Sequence, residues 1–187
     1  MVDIARSELI LGGQKSGKSR RAELIAKQWL DATVAHRAVL ITTGQAWDDE
    51  MRERIARHQR DRMVRVPGMV TVEEAVALAE LLQRHTAPQT LVVVDCLTLW
   101  LTNLLMPAQG AAQDAGGPVA ELCRAIEQAK GPVVLVGNEI GLGVIPMGRE
   151  VRDFVDALGG LNQSVAAVCA RVTLMAAGLP LTLKEPG

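Results

Sequence analysis

The sequence predicts an α/β fold: a mainly parallel sheet flanked by helices, with an antiparallel hairpin at a C-terminal edge. Three observations carry this expectation. Apolar strand-like runs alternate with amphipathic helical stripes, a glycine-rich loop joins the first run to the first stripe, and two short apolar runs around Gly178 close the chain. The 187 residues suit one domain of ordinary size, expected to span 1–187. Apolar residues make up 49% of the chain but aromatics only 2%, so aliphatic side chains have to build the core.

The elements follow in order. Glu8 to Leu11 is a buried-strand run, and Gly12-Gly13-Gln14-Lys15-Ser16-Gly17-Lys18-Ser19 fits G-x-x-x-x-G-K-[ST] at every fixed position. Ala22, Ile25, Ala26 and Trp29 then recur at helical spacing, which places a helix N-terminus, favourable to anions, directly after the loop. Ala38 to Thr42 reads as the second strand, and 48–62 as an arginine-rich helix with Met51, Ile55 and His58 on one stripe. Met63 to Val66 alternates like a short strand before the Pro67-Gly68 turn.

Thr71 and Glu74 have capping-box spacing, which predicts a helix from there to about His85, with Ala75, Leu78, Ala79 and Leu82 buried. Leu91 to Val94 is a central strand running into Asp95, followed by a helix to about Leu105. The stretch from Met106 to Pro118 lacks periodicity and reads as a surface loop. Val119, Leu122, Cys123 and Ile126 mark the next helix, and Pro132 to Val136 the next strand. Helical patterning then covers 148–170, with an interruption expected at Gly159-Gly160. Val172 to Met175 and Leu179 to Leu183 form the hairpin.

Chemistry concentrates at the strand ends. Ligands of parallel sheets bind outside the carboxyl ends of the strands, where Thr43, Asp95, Asn138 and Glu139 all fall. In the loop, backbone amides wrap a polyphosphate, Lys18 faces its β/γ-phosphates and the Ser19 hydroxyl is placed for Mg²⁺. Asp95 is either the second Mg²⁺ contact or an N-cap for the following helix. His58 reads by spacing as a packed histidine, although Arg60 and Arg62 beside it would suit phosphates and leave a neutral imidazole nitrogen free to attack phosphorus. Those arginines are equally a solvated helix face. Asn138 and Glu139 either orient a substrate hydroxyl or serve turn chemistry, and Arg152 either meets phosphate or pairs with nearby acids.

A formal net charge of −1 provides no global positive field for nucleic acid. Three widely spaced cysteines, Cys96, Cys123 and Cys169, suit neither a disulfide framework nor a zinc site, and point to a reducing cytoplasm. No signal pattern opens the chain, and no apolar run approaches the ~20 residues of a membrane span.

Several segments together resemble the bifunctional adenosylcobinamide kinase/adenosylcobinamide-phosphate guanylyltransferase family. They are the phosphate loop through Arg20, Asp48-Asp49-Glu50-Met51 with Arg54-Ile55 and His58, Val94 to Trp100 with Asn103-Leu104-Leu105, Asn138-Glu139-Ile140-Gly141 through Pro146, and Asn162-Gln163. The resemblance implies a P-loop NTPase, RecA-like domain. It implies phosphorylation of a corrinoid hydroxyl by ATP or GTP, then transfer of GMP from GTP through a guanylylated histidine at the position of His58. It also implies nucleotide contacts from Thr42, Thr43, Gly44, Gln59, Arg60, Asp61, Arg62, Glu73 and Asp95, and assembly as a homotrimer. The chain departs from the family in a longer 63–70 link without tryptophan, and in Val155, where an arginine is usual. Short of the resemblance, the residues also suit a monofunctional P-loop small-molecule kinase or a RecA-like nucleotide-dependent binding module.

Overall fold

The structure, a computed structural model, describes residues 4–45, 53, 60 and 64–186. Its elements are β1 (Ser7–Gly12), α1 (Lys18–Ala32), β2 (Arg37–Thr42), β3 (Met69–Glu73), α2 (Leu78–His85), β4 (Thr90–Asp95), α3 (Leu97–Leu105), α4 (Gly116–Glu127), β5 (Val133–Val136), α5 (Arg149–Val168), β6 (Arg171–Ala176) and β7 (Leu179–Lys184). The strands form one sheet in the order β3-β2-β4-β5-β1-β6-β7. Among the described residues, every pairing between these strands is parallel except β6 with β7, the antiparallel edge hairpin.

The pleat divides the aliphatic strands between two cores, because successive side chains point to opposite faces. Leu9, Leu11, Ile41, Val92, Val94 and Leu135 pack with residues of α2 to α5, whereas Ile10, Leu40, Val93, Val134 and Val136 pack with Ala22, Ile25 and Ala26 of α1. Both faces are therefore covered, as apolar runs without alternation require. Among the described residues, no helix is long and apolar enough to cross a membrane.

A buried charge sits within this frame. Glu8 of β1 is 2% exposed; its carboxylate pairs with the Arg21 guanidinium at 2.8 Å and accepts the Thr173 hydroxyl at 2.8 Å. The first turns of α1 are thereby tied to β1 and β6, the strands on which the phosphate loop rests.

Four expectations need correction. Thr71 belongs to β3, so it caps nothing; the ladder from Ala38 to Thr42 claims this segment as a parallel edge strand, and α2 begins seven residues later. Glu74 still serves the approach to the helix, accepting the Val76 and Ala77 amides, each at 2.8 Å. Val64 and Arg65 have helical backbone, and Val66 is buried against α1, so the expected strand at 63–66 is displaced to Met69–Glu73.

The glycines Gly159 and Gly160 do not interrupt α5: Leu158, Leu161, Asn162 and Val165 bury one continuous stripe across them, and tertiary packing outweighs the glycine penalty. Finally, α4 starts within the expected loop at Gly116, with Pro118 in its first turn, where a missing N–H costs no hydrogen bond. The expected helix at 48–62 lies outside the described residues apart from positions 53 and 60.

Removing the Glu8 carboxylate leaves Arg21 and the Thr173 hydroxyl without their buried acceptor. Glu8→Ala is expected to lower the free energy of unfolding by ~3 kcal/mol, read as a shift of the urea midpoint at unchanged slope.

Candidate active site

The phosphate loop runs from the end of β1 into α1, and its backbone explains its glycines. Gly12 has φ 152°, and a Cβ there would lie 2.5 Å from the Met175 carbonyl oxygen and 2.6 Å from Ser16 Oγ. Gly17 has φ 103°, and a Cβ there would lie 3.2 Å from Gly178 Cα. Any other residue at these two positions pays both in conformation and in space.

Neighbouring segments hold the loop from two sides. The Glu139 amide donates to the Gly12 carbonyl at 3.1 Å, and the Gly178 amide donates to the Ser16 carbonyl at 3.0 Å. The first bond comes from the exit of β5 and the second from the β6–β7 turn. Within the loop, the Lys18 ammonium donates to the Gly13 carbonyl at 2.7 Å. Burial lowers the pKa of Lys18, while Cys96 and Asp95 oppose the shift. The lysine and Asp95 thus share one electrostatic neighbourhood, as the end of β4 beside the phosphate loop anticipates. Ser19 is half-buried in the first turn of α1, while Gly13, Gln14 and Lys15 are exposed.

The exits of β2 and β4 are locked together. Thr43 is fully buried: its amide donates to the Asp95 carbonyl at 3.2 Å, and its hydroxyl donates to the Cys96 carbonyl at 2.6 Å and accepts the Cys96 amide at 3.1 Å. The Asn103 side chain in turn donates to the Thr43 carbonyl at 2.7 Å and to that of Ala75 at 3.0 Å. Thr42 and Glu73 end β2 and β3 side by side, paired in register. Gly44 follows, half-buried, beyond the sheet.

At the exit of β5, the Asn138 amide donates to Thr98 Oγ1 at 2.9 Å, and its carbonyl accepts from the Asn162 side chain at 3.0 Å. A Glu139 carboxylate oxygen accepts the Gly141 amide at 2.8 Å, so the turn chemistry expected of this pair is present. Arg152 donates to the carbonyls of Pro146 at 2.9 Å and Met147 at 2.6 Å, which makes it a brace for the 140–147 loop.

The structure therefore gathers the phosphate loop, Thr43, Asp95, Asn138 and Glu139 at one end of the sheet. Arg60 is exposed. His58, Gln59, Asp61 and Arg62 lie outside the described residues. Thr98, Asn103 and Asn162 escaped the sequence reading as supports of the site. The signal for two of them is a polar residue on an otherwise apolar stripe: Asn103 beside Trp100 and Leu104, and Asn162 beside Leu158 and Leu161.

Comparison with known proteins matches residues 8–183 to the family described as cobinamide kinase / cobinamide phosphate guanyltransferase. Among curated proteins, the chain is 44% identical to the bifunctional adenosylcobalamin biosynthesis protein CobP of Pseudomonas aeruginosa, covering 96% of this chain and 98% of that protein. It is 33% identical to the bifunctional adenosylcobalamin biosynthesis protein CobU of Escherichia coli, over 94% of this chain and 98% of that one. Among solved structures, the flagellar accessory protein FlaH from Methanocaldococcus jannaschii shares the fold at a TM-score of 0.56 and 11% identity, over 98% of this chain and 80% of that one.

Burial, followed by the nearby Asp95, raises the Cys96 thiol to about 11, and burial raises Cys169 to about 12. Raised values mean that the folded state favours neutral thiols. This contribution to stability is complete below the ordinary 9.0 and is lost as pH rises through those values. Iodoacetamide at pH 8 is expected to label Cys123 first and to spare Cys96 and Cys169, whereas in urea all three label alike; peptide mass spectrometry reads the order.

Proposed function

The chain belongs to the cobinamide kinase / cobinamide phosphate guanyltransferase family, and from that premise we propose how one P-loop nucleotide-binding domain over 1–187 performs both reactions. In the first, the aminopropanol hydroxyl of the corrinoid attacks the γ-phosphorus of ATP or GTP. The bond to the β-phosphate oxygen breaks, the nucleoside diphosphate leaves and the hydroxyl proton goes to solvent or to a nearby carboxylate such as Glu139. In the second, an imidazole nitrogen of His58 attacks the α-phosphorus of GTP and pyrophosphate leaves. A phosphate oxygen of the corrinoid phosphate then displaces the histidine to give the GDP-linked product. A phosphoramidate divides one difficult transfer into two easier displacements, because protonated imidazole is a good leaving group.

The observation that carries the reading is the joining of the phosphate loop to the exit of β5 through the Glu139 amide and the Gly12 carbonyl, 3.1 Å apart. Acceptor-side residues and phosphate-side residues are thereby one unit. In this reading the loop amides of Gly12, Gly13, Gln14, Lys15, Ser16 and Gly17 cradle the phosphates, and Lys18 exchanges its bond to the Gly13 carbonyl for one to phosphate. Thr42, Thr43, Gly44, Gln59, Arg60, Asp61, Arg62 and Glu73 contact nucleotide, and Asn138 and Glu139 meet the acceptor.

Ser19 and Asp95 offer hard oxygen donors beside Lys18, which suits an Mg²⁺ ion shared with phosphate oxygens. Such an ion, when bound, neutralises charge on the phosphates. Arg152 supports the acceptor through its loop. Two backbone carbonyls engage Nη1 of its guanidinium, and a phosphate contact through its other N–H donors stays part of the reading. A cytoplasmic homotrimer completes the reading, and analytical ultracentrifugation tests the assembly.

Incubation with GTP labelled at the α-phosphorus is expected to leave acid-labile, base-stable label on the protein, and none on His58→Ala. Label that persists in His58→Ala removes the histidine step, and a chain that transfers γ-phosphate without retaining α-label is a monofunctional kinase. Lys18→Ala is expected to lower kcat/KM for phosphorylation by ~100-fold or more.

A further inference from the structure

The segment 140–148, Ile-Gly-Leu-Gly-Val-Ile-Pro-Met-Gly, contains nine consecutive residues without a polar side chain. Its apolar side chains point to solvent: Leu142 is 79% exposed, Val144 95%, Ile145 78% and Met147 95%. So dense an exposed apolar run normally marks a surface that something covers. Elsewhere on the molecule, Leu179, Leu181 and Leu183 of β7 are also exposed, but they lie along the edge strand of the sheet.

The loop differs from that edge in its connections. At its start, the Glu139 amide is bonded to the phosphate loop at Gly12, and the Glu139 carboxylate caps the Gly141 amide. At its end, Arg152 holds the carbonyls of Pro146 and Met147. It is thus an anchored apolar shelf attached to the place where phosphate is transferred. The phosphates of a nucleotide need cations and donors, and this shelf offers neither from its side chains. Of the two substrates, the corrinoid carries the broader apolar surface, a macrocycle with methyl-bearing faces, and the arm that bears its hydroxyl has to reach phosphorus beside the loop.

We propose that residues 140–147 seat the corrin macrocycle, with Leu142, Val144, Ile145 and Met147 forming the contact surface and Arg152 acting as the positioning residue that holds the shelf. This inference rests on the family reading above and assigns its acceptor subsite. Binding covers the apolar run and sets the hydroxyl beside the phosphate loop, so the shelf acts on acceptor affinity and leaves nucleotide affinity alone.

The test compares the full-length chain with the variant Leu142→Asn/Ile145→Asn/Met147→Gln. Steady-state phosphorylation of cobinamide is measured together with equilibrium dialysis of cobinamide, retention of α-label from GTP, and mass in solution. The variant is expected to raise KM and Kd for cobinamide by about tenfold or more, with KM for the nucleotide, α-labelling and assembly unchanged. Arg152→Ala is expected to shift the same two acceptor constants in the same direction. Unchanged acceptor constants overturn the shelf, as does a parallel rise in KM for the nucleotide. A variant that loses its assembly instead identifies the run as an interface between copies and also overturns it. A wild-type chain that leaves cobinamide unphosphorylated fails the family reading itself, and is thereby told apart from failure of the shelf alone.

Discussion

A loop that wraps phosphate has to turn most of its amides outward to a ligand, which leaves it few hydrogen bonds of its own, here that from the Ser16 amide to the Gly13 carbonyl at 3.3 Å. The rest of this structure supplies the stiffness. The Gly12 and Ser16 carbonyls are taken up by the Glu139 and Gly178 amides, which come from the exit of β5 and from the β6–β7 turn. Because those bonds reach more than a hundred residues along the chain, the loop is only as well formed as the sheet order that brings β5 and β6 to either side of β1. The C-terminal hairpin has a purpose in this light: its turn presses against Gly17, where a side chain would collide with Gly178.

The same economy governs the other strand ends. Thr43, fully buried, donates its hydroxyl to the Cys96 carbonyl and accepts the Cys96 amide with it, and the Asn103 side chain donates to the Thr43 carbonyl. Buried hydroxyl and amide groups are costly unless bonded, and these bonds fix the exits of β2 and β4 to each other and to α3. Glu8, Arg21 and Thr173 do the corresponding work under the first turn of α1. Stability and site geometry share these contacts, and damage to one is felt in the other.

Much of this was legible in the residues. The phosphate loop, the strands that precede Thr43, Asp95 and Asn138, and the terminal hairpin all follow from local pattern, because a buried parallel strand has to be an uninterrupted aliphatic run and its end must return to polar sequence. The resemblance of the ordered segments to the adenosylcobinamide kinase and guanylyltransferase family is supported by the match over 8–183. The stretch from Val64 to Ala77 departs from its local pattern. Its alternating and capping patterns are real, but an open slot beside β2 drew Met69–Glu73 into the sheet, and the pairing of five residues outweighs one cap. Gly159 and Gly160 misled for a related reason, since local propensity is weaker than a stripe of buried leucines.

Local spacing within a few residues is enough for most element types, the sites where strands end and the identity of the phosphate-binding loop, the stretch 64–77 being the exception. Tertiary structure alone decided which strand ends meet, that Asn103 and Asn162 are props and not misplaced polar residues, and that Arg152 braces an apolar loop. The two props rest on hydrogen bonds between segments well apart in the chain, Asn103 with Thr43 and Asn162 with Asn138, and the Arg152 brace on bonds to Pro146 and Met147 across an irregular loop. No periodicity encodes such partners, because the partner is chosen by packing and not by sequence distance.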